Sequence, residues 1–477
     1  VSERFVIRDA AVDATQVDVL IESGFITQVV PTTEGRIDPA SIEGGVDMVI
    51  EAAGGALLPG LHDHHVHLLA MAARMATIDL DGCATPEAFD LTITEATHDA
   101  SDSWVRAGGY DEHRHGELDR DRLDALVGEV AVRVQHRTGL SWVLSSAALA
   151  RTDVSASNDP CIERDESGRP TGWLHRGDAW LAEQIGVTAP DLAPVGRELA
   201  AFGITGVTDA TVELGAGRLE LLRRARLDGD IPQHLLLLGT DSDADADADA
   251  EVVGWAGIGP AKLLADEMLG LDPMALAVRI RDQHAAGRPV AIHAVSRVET
   301  IAAVTALQEA GMMRGDRLEH GSVLPYELDQ SLVDGGVIVI IQPALVGERG
   351  DHHLRTVEPS DLPLLHRQAS LIAAGVAIAA GSDAPVTSAD PWRAIATASN
   401  RRSRAGVVVG AAERVDARTA LDWFLTPLEN PAGTPRRVAV GSPADLCLLD
   451  VPLDVMLAAP DAAHVRTTWI DGVMVHS

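Results

Sequence analysis

Lys262 is the only lysine among 477 residues, set against 37 arginines. It stands in the apolar run Ile258-Gly-Pro-Ala-Lys-Leu-Leu-Ala265, whose composition predicts a buried strand. An amine can lose its proton and act as a nucleophile, whereas a guanidinium stays charged. A lysine spared by compositional drift alone would have polar neighbours, and these are apolar. A second set of reactive side chains lies in Leu57-Leu-Pro-Gly-Leu-His-Asp-His-His-Val-His-Leu68. In an extended chain alternate residues share a face, so His65 and His67 project together with Asp63, while His62 and His64 point away. Two imidazoles on one face can share a metal ion.

Three more polar residues end apolar runs further along: His293, His320, and Asp383 in Gly381-Ser-Asp-Ala-Pro385. Any one alone would be read as a core histidine or a helix-capping aspartate. Together, four imidazoles, a carboxylate and a lysine are the ligand inventory of borderline divalent metals such as zinc. A protonated lysine is a poor neighbour for a cation. Reaction with carbon dioxide turns it into a carbamate, an anion whose two oxygens can bridge two metals. Two such ions about 3.5–4 Å apart can hold a shared hydroxide, lower its pKa and polarise a carbonyl. Asp383 can take the proton and pass it to a leaving amine.

These residues need elements to hold them at one place. From Leu57 onward, short leucine-rich or β-branched runs alternate with longer alanine- and arginine-rich stretches, the pattern of repeated β-α units. Eight strands are predicted: 56–61, 203–208, 233–238, 261–264, 290–293, 317–320, 337–342 and 376–382. Eight parallel strands with intervening helices imply an α/β fold, a (β/α)8 TIM barrel over 57–433 with its site at the C-terminal strand ends. The first crossover is far too long for one connection, so an inserted subdomain over about 84–190 is expected above the barrel mouth. Residues 1–56 and 434–477 consist of short alternating strands with turn residues, such as Thr468-Trp-Ile-Asp-Gly-Val-Met-Val475. They are expected to combine into one small β-sandwich domain, since two-stranded pieces are marginal alone.

Composition narrows the functional classes. A formal charge of −33 argues against nucleic acid or an anionic membrane as partner. The chain contains no long uninterrupted apolar run, and its start lacks the basic and apolar segments of a signal peptide, so a cytoplasmic location is expected. Cys83, Cys161 and Cys447 are far apart and suggest neither a disulfide framework nor a thiolate zinc site. Asp241-Ser-Asp-Ala-Asp-Ala-Asp-Ala-Asp-Ala250 has no apolar face and reads as a solvated loop. Small-molecule substrate and a homodimer complete the expectations on partners.

Over nearly its whole length the sequence resembles the amidohydrolase superfamily, in the branch with a carboxylated lysine. More narrowly it is similar to the YtcJ-like group, which includes N-substituted formamide deformylases. The resemblance rests on the His-Asp-His-His-Val-His segment, Gly109-Tyr-Asp-Glu112, Gly168-Arg-Pro-Thr-Gly172, Gly203-Ile-Thr-Gly-Val-Thr-Asp209, Gly381-Ser-Asp-Ala-Pro-Val386 and Gly441-Ser-Pro-Ala-Asp-Leu446. It implies that His65 and His67 bind the more buried of two divalent metals, zinc being expected. It further implies that Lys262 bridges as its carbamate, that His293 and His320 bind the second metal, and that Asp383 is ligand and proton shuttle.

The implied reaction is metal-hydroxide attack on a carbonyl that cleaves an amide or related C–N bond. Ester, lactone or carbamate hydrolysis uses the same electrophile. A mononuclear deaminase of heterocycles would carry a glutamate at the position of Ser296, and a non-catalytic scaffold would have lost ligands. The chain departs from its group after the strand-4 lysine, with Leu263-Leu-Ala-Asp-Glu-Met268, and at His175-Arg176, where an acidic residue is usual. Both departures fall where substrate is expected. Candidate substrate contacts are Tyr110, His136, Arg176, Gln342 and His352, in the insertion or after strand 7.

Overall fold

A computed structural model describes residues 4–98, 104–138, 140–185, 190–212, 214–239, 252, 254–267 and 270–477. The acidic run 241–250 lies outside them. The chain divides into two compact units, Val1–Met71 with Leu192–Ser477, and Ala72–Asp191.

The larger unit begins with β1 (Phe5–Val12), β2 (Thr15–Glu22), β3 (Phe25–Pro31), β4 (Met48–Glu51), β5 (Leu57–Pro59) and β6 (Leu61–Val66). The inserted unit contributes β7 (Thr77–Asp79), β8 (Val105–Tyr110), β9 (Val132–His136), β10 (Ser141–Leu144), β11 (Ile162–Arg164) and β12 (Pro170–His175). The larger unit resumes with β13 (Ile204–Asp209), β14 (His234–Leu237), β15 (Gly257–Ile258), β16 (Ala261–Leu264), β17 (Val290–Ala294), β18 (Arg317–His320), β19 (Ile338–Ile341) and β20 (Ala377–Ala380). It closes with β21 (Leu446–Leu449), β22 (Val465–Ile470) and β23 (Val473–His476).

Two parallel sheets carry the chemistry, in the orders β15-β14-β13-β6 and β16-β17-β18-β19-β20. Backbone hydrogen bonds run between them at both edges. Lys262 N–H in β16 donates at 2.7 Å to the carbonyl of Gly239, which follows β14. At the other edge Asp383 N–H donates to the His65 carbonyl at 2.7 Å, and His67 N–H to Ala384 C=O at 3.0 Å. β15 and β16 are separated only by Gly259-Pro260, where proline removes a ladder donor. The strands are nearly all apolar and buried, as parallel strands covered on both faces must be.

The predicted strand 56–61 is a correction, because it is two strands in different sheets. β5 pairs antiparallel with β21, and β6 pairs parallel with β13. The chain changes sheet at Gly60, where a Cβ would fall 2.0 Å from Thr205 Cγ2. Gly60 N–H donates to Asp445 C=O, and its carbonyl accepts from Arg436 Nη2. An apolar run that continues across such a point shows no break in its periodicity. β15 was also not predicted.

The two chain ends form sheets ordered β3-β2-β1-β4 and β23-β22-β21-β5. They share one core in which Phe5, Ile7, Val17, Val19 and Ile21 pack with Leu446, Leu448 and Trp469. The alternate side chains Val6 and Leu20 pack elsewhere, with Ile37, as the period of two requires. The inserted unit has a six-stranded sheet, β11-β12-β10-β9-β8-β7, and begins earlier than the expected residue 84. No helix among the described residues is long and apolar enough to cross a membrane.

Trp469 is 1% exposed and its ring stacks on Phe5 with centroids 5.7 Å apart. Trp469→Ala is expected to cost about 3–5 kcal/mol of stability, seen as a lower urea midpoint. An unchanged midpoint would show that the two ends do not depend on their shared core.

Candidate metal centre

Most of the chemically competent residues of the larger unit lie at or just past the C-terminal end of a parallel strand. His65 is next to last in β6 and His67 follows that strand, His293 is next to last in β17, His320 ends β18, and Asp383 follows β20, whereas Lys262 is the second residue of β16. His65, His320 and Asp383 offer ligand atoms within 4.8 Å of one another. Asp383 Oδ1 is 3.5 Å from His65 Nε2 and 3.2 Å from His67 Nε2, and Asp383 Oδ2 is 4.0 Å from His320 Nδ1. The His293 ring centroid is 4.6 Å from that of His320. His320 and Asp383 have φ of 71° and 57°, a left-handed conformation uncommon outside glycine.

Protonation follows from burial. Desolvation, reinforced by Lys262, lowers His65 to about 4. Desolvation and neighbouring cations likewise lower His293 to about 4 and His320 to about 3. These imidazoles are therefore neutral near pH 7. Burial opposes ionisation of Asp383, but the His67 hydrogen bond and the imidazoles around it hold the carboxyl well below its usual range.

Hydrogen bonds then fix where the lone pairs point. His65 Nδ1 contacts Glu319 Oε2, and His320 Nδ1 is 2.9 Å from Gln342 Oε1. Both partners are acceptors, so each Nδ1 carries the proton and each Nε2 presents a lone pair. His65 Nε2 is buried without a hydrogen-bond partner and faces a carboxylate oxygen. Two acceptors opposed in a dry site are repulsive unless a cation lies between them. Lys262 is 2% exposed and its Nζ also has no hydrogen-bond partner. Burial lowers it to about 8, with Glu319 opposing. The donor set fits a divalent metal.

A profile of the Amidohydrolase family matches residues 48–476. The chain belongs to the amidohydrolase family. "Putative amidohydrolase YtcJ" of Bacillus subtilis is 24% identical over 90% of this chain and 90% of its own length. "N-substituted formamide deformylase" of Arthrobacter pascens is 26% identical, covering 96% of this chain and 94% of that protein. An uncharacterised metal-dependent hydrolase of Pyrococcus horikoshii has the same fold, with a TM-score of 0.76 at 16% identity over 97% of this chain and 99% of that one.

Glu319 was missed in the sequence. It is wholly buried, accepts from Arg317 Nε at 2.7 Å through one oxygen and meets His65 Nδ1 with the other. Arg317 in turn donates to the His64 carbonyl at 2.7 Å. Arg317, Lys262 and His65 hold the Glu319 carboxyl well below its usual range against the opposing effect of burial. Its signal was present in Arg317-Leu-Glu-His320, where opposite charges two apart interrupt a strand. Asp63, on the face expected, is a clasp: it accepts from Ser382 N–H and Oγ and from His65 N–H. His62 and His64 turn the other way, to Thr426.

Among the candidate substrate contacts, Gln342 is committed at both ends of its amide, to His320 and to the Ile340 carbonyl. His352 is exposed on the helix Ala344–Thr356, its ring 6.1 Å from that of His353. Tyr110 is buried and its hydroxyl donates to the Gly116 carbonyl at 2.8 Å. His136 bonds Glu112, and Arg176 is exposed with φ of 54°.

Two outcomes follow. Glu319→Gln should weaken metal retention by about 10–100-fold, measured by competition with a chelator; unaltered retention would reduce Glu319 to a counter-ion of Arg317. An unfolded chain binds protons at these histidines near pH 6.5, the folded one only near 3 to 4. Stability of the metal-free protein should thus be full above pH 6.5 and fall as pH drops toward 4. Urea midpoints across that range check it, and a flat profile would mean that the folded imidazoles bind protons as the unfolded ones do.

Proposed function

We propose that this amidohydrolase cleaves an amide or closely related C–N bond at a two-metal centre, the two parallel sheets being read as one eight-stranded barrel in which β15 and β16 are one strand interrupted at Gly259-Pro260, and the two terminal sheets as one sandwich. The observation that carries the metal reading is the opposed pair of acceptors, His65 Nε2 and Asp383 Oδ1, 3.5 Å apart and away from water. His65, His67 and Asp383 would hold one ion, and His293 and His320 the other. Lys262, buried and lowered to about 8, can reach the free-base form that reacts with carbon dioxide, and its carbamate would bridge them. When bound, divalent ions such as zinc lower the pKa of a water and polarise a carbonyl.

The protein's own part is orientation and proton transfer. Glu319 and Gln342 fix the rings of His65 and His320. Asp383, ionised and 13% exposed at its side chain, is placed to take a proton from water and return it to the departing nitrogen. The 26% identical relative is named for deformylation of N-substituted formamides, which supports an amide carbonyl as electrophile. Deamination finds no support at Ser296, which caps the helix Arg297–Ala310 in a capping box with Glu299.

The test is amine release from a panel of N-substituted formamides and other small amides by metal-loaded protein. Asp383→Asn should keep the fold and lower kcat by roughly 10²–10⁴, and Lys262→Ala should lose activity together with about one metal equivalent. Near-normal kcat in Asp383→Asn would overturn the proton role. Full metal content in Lys262→Ala would overturn the bridge.

A further inference from the structure

His62 belongs to the histidine-rich segment of β6 yet takes no part in the metal centre. It is the second residue of that strand, and the period of two puts it on the opposite face from Asp63 and His65. Gly206 of β13 lies in register with His62 on one side and with His234 of β14 on the other, so two imidazoles flank a residue without a side chain. A Cβ on Gly206 would fall 2.9 Å from His62 Nε2 and 2.8 Å from Leu428 Cδ1, and the glycine thereby leaves the room that the ring occupies. His62 and His234 line a cavity of about 370 Å3 in the larger unit, with apolar walls from Ile26, Pro59, Leu428, Pro443 and Leu446.

Two groups that line this cavity are left unmatched. His62 is 6% exposed, and its Nδ1 is 2.9 Å from the Thr426 carbonyl, which can only accept. Nδ1 therefore carries the proton, and Nε2 presents a lone pair that has no partner among the described residues. Burial and the Arg436 cation hold the ring well below the usual histidine range, so it stays neutral. Arg436 is part-buried and donates Nε to the Leu425 carbonyl at 3.2 Å and Nη2 to the Gly60 carbonyl, while its Nη1 has no partner among the described residues.

Carbonyls satisfy those donors without neutralising the guanidinium. The carboxylates around the cavity do little more. Asp445 spends its oxygens on His234 Nε2 at 3.1 Å and on Asp471 N–H at 2.8 Å, and Glu429 is exposed and forms no hydrogen bond or ion pair among the described residues. Burial outweighs both and lowers Arg436 to about 10. Arg437, the other cation there, pairs with Asp13 at 3.4 Å. A buried acceptor without a donor and a part-buried cation without a bonded anion are each costly, and one molecule can relieve both. It must donate one hydrogen bond, carry negative charge and bury a short aliphatic body. Glu429 limits that charge to one, since a second would meet its carboxylate.

We propose that this cavity binds a small monoanionic hydroxycarboxylate, its hydroxyl donating to His62 Nε2 and its carboxylate accepting from Arg436 Nη1. The inference rests on the cavity alone, not on the reaction proposed above.

Isothermal titration of the full chain with sodium 2-hydroxy-3-methylbutanoate and with sodium 3-methylbutanoate, which lacks the hydroxyl, tests it. Saturable 1:1 binding of the hydroxy acid is expected, about tenfold or more tighter than that of its analogue. His62→Asn, whose amide can still donate to the Thr426 carbonyl but has no atom in place of Nε2, should abolish that preference. Glu429→Gln is an exposed, near-isosteric change that leaves the fold intact and should tighten both acids by up to about fivefold. A 2-hydroxycarboxylate also chelates metals, so His67→Ala is the control and should leave binding at the cavity unchanged. Absence of saturable binding, equal affinity for the two acids, or no tightening in Glu429→Gln would overturn the proposal. So would binding that survives His62→Asn and is lost in His67→Ala, which would assign the ligand to the metal centre.

Discussion

Glu319 brings a full negative charge to a place that water does not reach, and the site is organised around satisfying it. A buried carboxylate is tolerable only when its oxygens are occupied and opposite charge is near. Arg317 takes one oxygen and His65 the other. The second bond sets the tautomer of His65 and aims a lone pair at Asp383. A single charge balance inside the protein thereby decides which atoms are available to a metal. The dependence also runs backward: Arg317 uses another of its donors on the His64 carbonyl, tying β18 to the backbone of β6 beside the residue it orients.

The seam between β6 and the segment after β20 is the second element of that organisation. Asp383 N–H bonds the carbonyl of His65, and Asp63 bonds Ser382 through both its carboxylate oxygens. Two metal-competent residues from opposite ends of the sheet order are thus joined through their backbones before any ion binds. Their side chains cannot drift apart without breaking buried hydrogen bonds, and the left-handed φ of Asp383 is held within that same network. Such preorganisation keeps ligand geometry independent of the ion.

Much of this was legible in the residues. Apolar runs ending in a histidine or aspartate marked the strand ends, because a parallel strand buried on both faces holds few polar side chains, and Lys262 stood out as one inside its run. What escaped depends on register rather than pattern. Glu319 looked like a strand residue next to a ligand, and only the alignment of β18 with β6 shows that it meets His65. The break at Gly60 escaped because both flanking segments are apolar and the change of sheet is enforced by Thr205, far away in sequence. In the inserted unit the sheet was not anticipated: its strands are short, mix parallel and antiparallel pairing, and interleave with short helices, so no single period runs long enough to be read.

The solitary lysine has an explanation in the same charge balance. Lys262 pairs in register with Ala291, and Ala291 with Arg317, so the two cations occupy one layer with a small residue between them. Both are buried, and Glu319 is the wholly buried carboxylate they share. Arg317 is permanently charged and already claims one oxygen of that carboxylate. A second permanent cation in the layer would stand uncompensated, at a cost of several kcal/mol. The residue at 262 must therefore be able to shed its proton, and burial together with Arg317 moves it in that direction, to about 8. An arginine there would keep its charge and lack the nucleophilic amine. Lysine is the basic side chain that can give up its proton in this layer, and a sequence rich in arginine retains it at this one position.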